Sequence, residues 1–163
     1  MTLTEASEKL LRSFKRYYNV KQEEVDPPFY AEAEFSLHDE QYFLVRSAKL
    51  SEADSKEFVF FASEEHLTGE RLRELDETAW ERGLSRVRPH ANHRNSDVVL
   101  FVLADRIDDG ALALVKKLHH YKSYRYSLQG WSHYKLAVLE ISTGRMAFNR
   151  QGRSFKKLVS NIL

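Results

Sequence analysis

Between His119 and Leu136 the chain reads HHYKSYRYSLQGWSHYKL, which places five aromatic rings, three imidazoles and three Lys/Arg cations in eighteen residues. Those residue types serve three different chemistries. Rings stack on bases while cations grip phosphates. Imidazoles joined by a carboxylate hold zinc. Rings alternating along a strand fill a core. Period separates the three. On a strand through Tyr124 to Leu128, Tyr124, Tyr126 and Leu128 share one face and Arg125 and Ser127 the other, which predicts buried tyrosines. The following strand, Trp131 to Ile141, turns apolar on both faces beyond Lys135. Its far end is therefore interior and its near end is not. The candidate binding surface is the Gln129-Gly130 turn, with Lys122, Arg125, Trp131, His133 and Lys135 around it.

The terminal segment adds Arg150, Arg153, Lys156 and Lys157. Arg153, Lys156 and Lys157 lie off the apolar stripe Phe155/Leu158/Val159/Ile162. They form either a solvated basic face or a phosphate-tracking stripe continuous with Lys116, Lys117 and Lys122. The overall charge of +1 conceals this asymmetry. From Ala111 to Leu163 there are ten Lys/Arg and one acid, Glu140, a charge of +9. The first 110 residues hold fifteen Lys/Arg and twenty-three Asp/Glu, a charge of −8. Such a division suggests an anionic partner, unless the two segments fold against each other and neutralise.

Other constellations are weaker. His90 and His93 in HANH, then His119 and His120, offer imidazoles, but H-E-x-x-H is absent and no metal is expected. Glu32 and Glu34 point the same way from one strand, about 7 Å apart, and two such carboxylates could hold a divalent cation for phosphodiester chemistry. The order helix, three strands, helix, strand is similar to the core of restriction-endonuclease-like nucleases. Those enzymes carry an acid and then acid-x-Lys on neighbouring strands. Here the D-x-K is Asp54-Ser55-Lys56, placed in the polar loop SEADSKE, so the pattern is not met and the resemblance stays at the level of fold order. Asp108 and Asp109 read as caps of a helix rather than a phosphate site, because no glycine-rich loop precedes them. No G-x-S-x-G and no cysteine are present, which leaves no serine-elbow or thiol signature. No catalytic residue and no cofactor are assigned.

The elements that position these residues follow from pattern. Thr2 and Glu5 form a capping box before a helix over Leu3–Tyr18, with Ala6, Leu10, Phe14 and Tyr18 on one stripe. FYAEAEFSL, residues 29–37, alternates as a half-buried strand. HDEQ reads as a turn, YFLVRSAKL as a second strand and FVFFA as a third. Thr68 caps a helix over Gly69–Val87. DVVLFVLAD is apolar throughout its centre and belongs in mid-sheet. A helix behind Asp108 and Asp109, strands over Tyr124–Leu128, Trp131–Ile141 and Arg145–Asn149, and a final helix over Gln151–Leu163 complete the chain.

The expectation is an α+β fold in one domain spanning residues 1–163. It has a mixed, mostly antiparallel sheet of six or seven strands and about four helices packed on it. With 42% apolar and 30% charged residues and no apolar run of membrane-spanning length, the expected protein is cytoplasmic, without membrane contact. The expected function is a non-catalytic module binding an anionic partner, nucleic acid first, through Lys122, Arg125, Trp131, His133, Lys135, Arg153, Lys156 and Lys157. Two alternatives stand beside it. One is a protein-partner or homo-oligomerising module that pairs the acidic and basic segments. The other is a metal-dependent phosphodiesterase using Glu32 and Glu34.

Overall fold

A computed structural model describes residues 1–36, 54–90 and 93–163. Among them are seven strands: β1 (Asn19–Lys21), β2 (Ala31–Ser36), β3 (Asp54–Leu67), β4 (His93–Ile107), β5 (Tyr121–Ser123), β6 (Trp131–Glu140) and β7 (Met146–Phe148). The helices are α1 (Leu3–Phe14), α2 (Gly69–Ser85), α3 (Asp109–Val115) and α4 (Lys156–Ser160), with a 3-10 turn over Gln151–Phe155 leading into α4. The turn His38–Gln41 and the strand Tyr42–Leu50 expected from sequence lie outside the described residues. Asp54, Ser55 and Lys56 are not in a loop; they open β3, and Lys56 pairs with Glu34 of β2 at 3.8 Å.

The strands form one mixed sheet in the order β1-β2-β3-β4-β6-β5, with β7 also on β6. The β3–β4 and β4–β6 pairings are parallel and the other four antiparallel. Parallel neighbours need crossovers, and α2 and α3 provide them. The chain steps the same way across the sheet each time, so a common handedness puts both helices on one face. There Leu72, Leu75 and Ala79 of α2 and Ala111 and Val115 of α3 pack on Phe58, Phe60, Val98, Leu100 and Leu136. The opposite face falls to the chain ends. Ala6, Leu10 and Phe14 of α1, with Val159 and Ile162, cover Val59, Phe61, Val99 and Phe101. Phe14 meets Phe61 and Phe101 edge-on, both at 5.3 Å. Covered on both sides, β4 is buried from Val98 to Ala104, as its unbroken apolar run requires.

Both long helices begin where their caps stand. The Thr2 hydroxyl accepts from the Glu5 amide and Glu5 returns a bond to the Thr2 amide. Thr68 accepts from the Arg71 amide. Helix α1 ends at Phe14, one turn short of Tyr18, and the terminal helix is part 3-10 and part α. No helix among the described residues is long and apolar enough to cross a membrane.

The carboxyl ends of the parallel strands are closed by a charge network. Glu140, 1% exposed at the end of β6, accepts from the Ile107 amide at 2.6 Å, from Arg145 at 2.8 and 3.1 Å, and from the Thr143 hydroxyl. Arg145 also donates to Asp109 at 2.8 Å, while Asp108 pairs with His66 at 2.6 Å and makes no side-chain capping bond. The two aspartates are thus anchors for partners more than caps. The Arg145 guanidinium, against the opposing effect of burial and helped by Thr143 and the Ile107 amide, holds the Glu140 carboxyl at about 2. A carboxylate depressed in the folded state stabilises above its unfolded value, near 4.5, and loses that contribution as pH falls toward 2. Glu140→Gln is therefore expected to be less stable at pH 7 by about 2 kcal/mol, the scale of hydrogen bonds to a charged group. In urea titrations at pH 7, 4.5 and 3, its deficit should shrink through the acid window. A deficit that is constant with pH would mean that ionised Glu140 is not the stabilising species.

Candidate functional site

Strand β5 pairs antiparallel with the start of β6, setting Tyr121 opposite His133, Lys122 opposite Ser132 and Ser123 opposite Trp131. The strand ends at Ser123. Tyr124 to Leu128 is not a strand, contrary to its alternation. Arg125, Tyr126 and Ser127 all adopt positive φ, 48°, 55° and 69°, and form a left-handed turn closed by Gly130 at φ 86°. Left-handed backbone costs an ordinary residue roughly 1–2 kcal/mol, so three in succession need support.

That support is local and well defined. The Tyr124 amide donates to Gly130 and the Gln129 amide to Tyr124. The Tyr124 hydroxyl bonds Ser132 at 2.8 Å. Buried His93 reaches from β4 with Nδ1 at 2.5 Å from the Gln129 carbonyl and Nε2 at 2.7 Å from the Ser96 hydroxyl. Since a carbonyl only accepts, Nδ1 carries the proton and Nε2 accepts from Ser96. Both nitrogens of His93 are thereby engaged within the protein.

The turn reverses the expected fate of its rings. Tyr126 is 99% exposed, Leu128 79% and Tyr121 56%, and only Tyr124 among the three tyrosines is half-buried. Tyrosine burial holds instead for Tyr134 on β6. The cations split in the same way. Lys122 and Arg125 are exposed, with the Lys122 ammonium 5.6 Å from the centre of the Tyr124 ring. Trp131 and His133 are half-buried at the start of β6, and His133 lies 5.2 Å from Tyr121, ring to ring.

Lys135, on the same face of β6 as Trp131 and His133, is engaged within the protein. Its ammonium bonds Glu57 of β3 at 2.9 Å and lies 3.4 Å from Asp97 of β4. Tyr18 donates to the other Glu57 oxygen, and Asp97 accepts from the His133 amide at 3.2 Å. Burial would lower the Lys135 amine, but Glu57 and then Asp97 more than offset it and the net shift is upward. Burial, followed by Glu57, pushes the Tyr18 hydroxyl up. Lys135 thus belongs to an internal ion cluster and is set apart from Lys122 and Arg125. Arg153, Lys156 and Lys157 are exposed on the terminal turn and α4.

Among the described residues few cations of the basic segment are held in ion pairs. Of the ten Lys/Arg after residue 110, Lys135 and Arg145 pair with carboxylates. The other eight, Lys116, Lys117, Lys122, Arg125, Arg150, Arg153, Lys156 and Lys157, are exposed and have no ion pair among the described residues.

Between β5 and β7 no strand among the described residues covers the edge of β6, and the side chain of Asn149 fills the gap. Its Oδ1 accepts from the amides of Leu136 at 2.9 Å and Gly152 at 2.8 Å, and its Nδ2 donates to the carbonyls of Leu118 and Tyr134 at 3.0 Å each. Beside this pin lies a cavity of about 440 Å³ lined by Lys116, His119, His120, Tyr121, His133, Tyr134, Asn149, Arg150 and Gln151. His120 is set by Asp76 of α2, 2% exposed, which accepts from Nε2 at 2.9 Å, and by Trp80, stacked at 5.0 Å. The sequence reading treated His119 and His120 as metal candidates and did not connect them with Asp76 or Arg150, which are distant in the chain.

Glu32 and Glu34 do leave β2 on one face, but Arg86 holds both Glu32 oxygens, at 2.8 and 3.1 Å, and Glu34 pairs with Lys56. His90 lies 5.9 Å from His93. Among the described residues no three His, Asp or Glu side chains are gathered as a metal would require.

No match was found among curated proteins or among solved structures. Residues 3–161 match the family model described as Domain of unknown function (DUF8052), and the chain belongs to that family.

Proposed function

We propose that this member of the family is a non-catalytic module that binds a polyanion, single-stranded nucleic acid foremost, along the β5 edge of its sheet. The observation that carries the reading is the set of eight exposed cations that have no ion pair among the described residues, with the exposed ring of Tyr121 beside Lys116 and Arg150 and that of Tyr126 beside Arg125. Cations that track phosphates and rings that accept stacked bases are the two parts of a sequence-tolerant single-strand binder. The left-handed turn is a second support. It spends backbone strain on holding Arg125 and Tyr126 outward, and strain of that kind concentrates at functional positions.

Fluorescence anisotropy with labelled single-stranded and duplex oligonucleotides, run from about 20 to 300 mM salt, tests the reading. Binding should weaken steeply with salt. Tyr126→Gly supplies the sharper comparison. Glycine tolerates positive φ but costs chain entropy, so stability should stay level or rise by up to about 1 kcal/mol. Affinity should meanwhile fall at least about fivefold, the lower end of one lost base stack. No binding even at 20 mM salt would remove the proposal. A salt-sensitive oligomer in native mass measurements would then favour pairing between acidic and basic segments of separate chains.

A further inference from the structure

The cavity at the β6 edge differs in kind from the open surface around the turn. It is concave, about 440 Å³, within the range of small-ligand sites. Among the described residues no Asp or Glu lines it. Two permanent cations, Lys116 from the end of α3 and Arg150 from the turn after β7, come to it from chain segments more than thirty residues apart. Neither forms an ion pair among the described residues. His119, His120, His133 and Tyr121 line it as well.

One of these imidazoles is fixed from behind. With Nε2 donating to the Asp76 carboxyl, Nδ1 of His120 is left without a hydrogen-bond partner among the described residues. Stacking on Trp80 and the edge contact with Tyr134 at 4.9 Å hold the ring's plane. Tyr134 also lines the cavity, and burial, followed by the Asp76 carboxylate that its hydroxyl faces, pushes that hydroxyl up. A ring-lined, largely apolar cavity with two cations and one imidazole locked in orientation suits a compact ligand that has both an anion and an aromatic part.

We propose that this cavity binds a nucleoside phosphomonoester, its phosphate on Lys116 and Arg150 and its base against Tyr121 and His133. A phosphomonoester carries between one and two negative charges near neutral pH, and two cations match it better than they match the single charge of each internal phosphodiester. The ligand is either a free mononucleotide or the phosphorylated end of a strand lying on the basic surface. The second case rests on the polyanion reading and gives that surface an end-point.

The test uses the full chain. Adenosine 5′-monophosphate, adenosine and inorganic phosphate are titrated by calorimetry, and single-stranded dodecamers with and without a terminal phosphate are compared by anisotropy. Adenosine 5′-monophosphate should bind at least about tenfold more tightly than adenosine, because a charged, doubly held phosphate is lost in the nucleoside. Arg150→Gln and Lys116→Gln alter exposed side chains that have no ion pair among the described residues, so both should fold normally and each weaken that binding about tenfold. Preference for the phosphorylated dodecamer assigns the ligand to strand ends; mononucleotide binding with equal dodecamers assigns it to free nucleotides. Dodecamers that bind equally, with no mononucleotide binding, would overturn the cavity assignment and leave the surface reading standing. Mononucleotide binding unaffected by both substitutions would also overturn it. If the mononucleotide binds and no dodecamer does, the surface reading fails and the cavity assignment holds.

Discussion

Asn149→Ala is expected to destabilise the protein by about 4 kcal/mol, lowering Tm by roughly 10 °C for a chain of this size. The amide is 1% exposed and all four of its hydrogen-bonding capacities are used. Truncation leaves the Leu136 and Gly152 amides without their acceptor and the Leu118 and Tyr134 carbonyls without their donor. Each buried amide so stranded costs about 1–3 kcal/mol, and carbonyls cost less. Asn149→Asp should do no better. It keeps the acceptor but turns a carboxylate toward two carbonyl oxygens. Gly152 is bound into the same arrangement, since a Cβ there would lie 2.2 Å from the Leu136 carbonyl oxygen. Urea unfolding of both Asn149 variants decides the matter. A loss below about 0.5 kcal/mol, usual for surface changes, would show that the gap in the β6 edge closes without the side chain.

That residue marks the limit of what could be read in advance. The helices were legible because their caps are local: Thr2 with Glu5, and Thr68 ahead of Arg71, lie within three residues of their partners. Strand β4 was legible because burial on both faces writes an unbroken apolar run. By contrast, Asn149 in FNRQG is an unremarkable polar residue until the chain brings Leu118, Tyr134 and Leu136 around it. The alternation from Tyr124 to Leu128 imitated a strand. It lost to a turn whose strain is supported by His93, thirty-six residues upstream of the carbonyl it holds. The D-x-K segment looked like loop because it is polar, yet β3 extends through it on pairing with β2 and β4.

The candidate site was legible in composition and illegible in assembly. Charge counting located the cations but gave no means of telling Lys135, pinned between Glu57 and Asp97, from Lys122 thirteen residues earlier on the opposing strand. Alternation along β6 placed Lys135 beside Trp131 and His133, while the acids that claim it come from β3 and β4. The dyad of Asp76 with His120 spans forty-four residues and unites a helix with a sheet edge, so no local pattern announces it.

The same distinction yields the largest expected effect on binding. On a single strand, log K falls with log salt at about −0.7 per phosphate contacted. Five contacts give a slope near −3.5, or about a hundredfold loss of affinity between 50 and 200 mM salt. Replacing Lys116, Lys122, Arg125 and Arg150 together by glutamine should flatten that slope by about 0.7 for each cation that touches a phosphate, with affinity at 50 mM salt falling by about two to three orders of magnitude. Lys135→Gln provides the opposing control. It breaks an internal pair and should lower stability while leaving the salt slope of the folded protein unchanged. A triple change at Arg153, Lys156 and Lys157 then reports on the terminal helix, since an unchanged slope confines the partner to the β5 edge. If the fourfold variant keeps the wild-type slope while Lys135→Gln flattens it, the assignment of outward and inward cations is reversed, and with it the proposed surface.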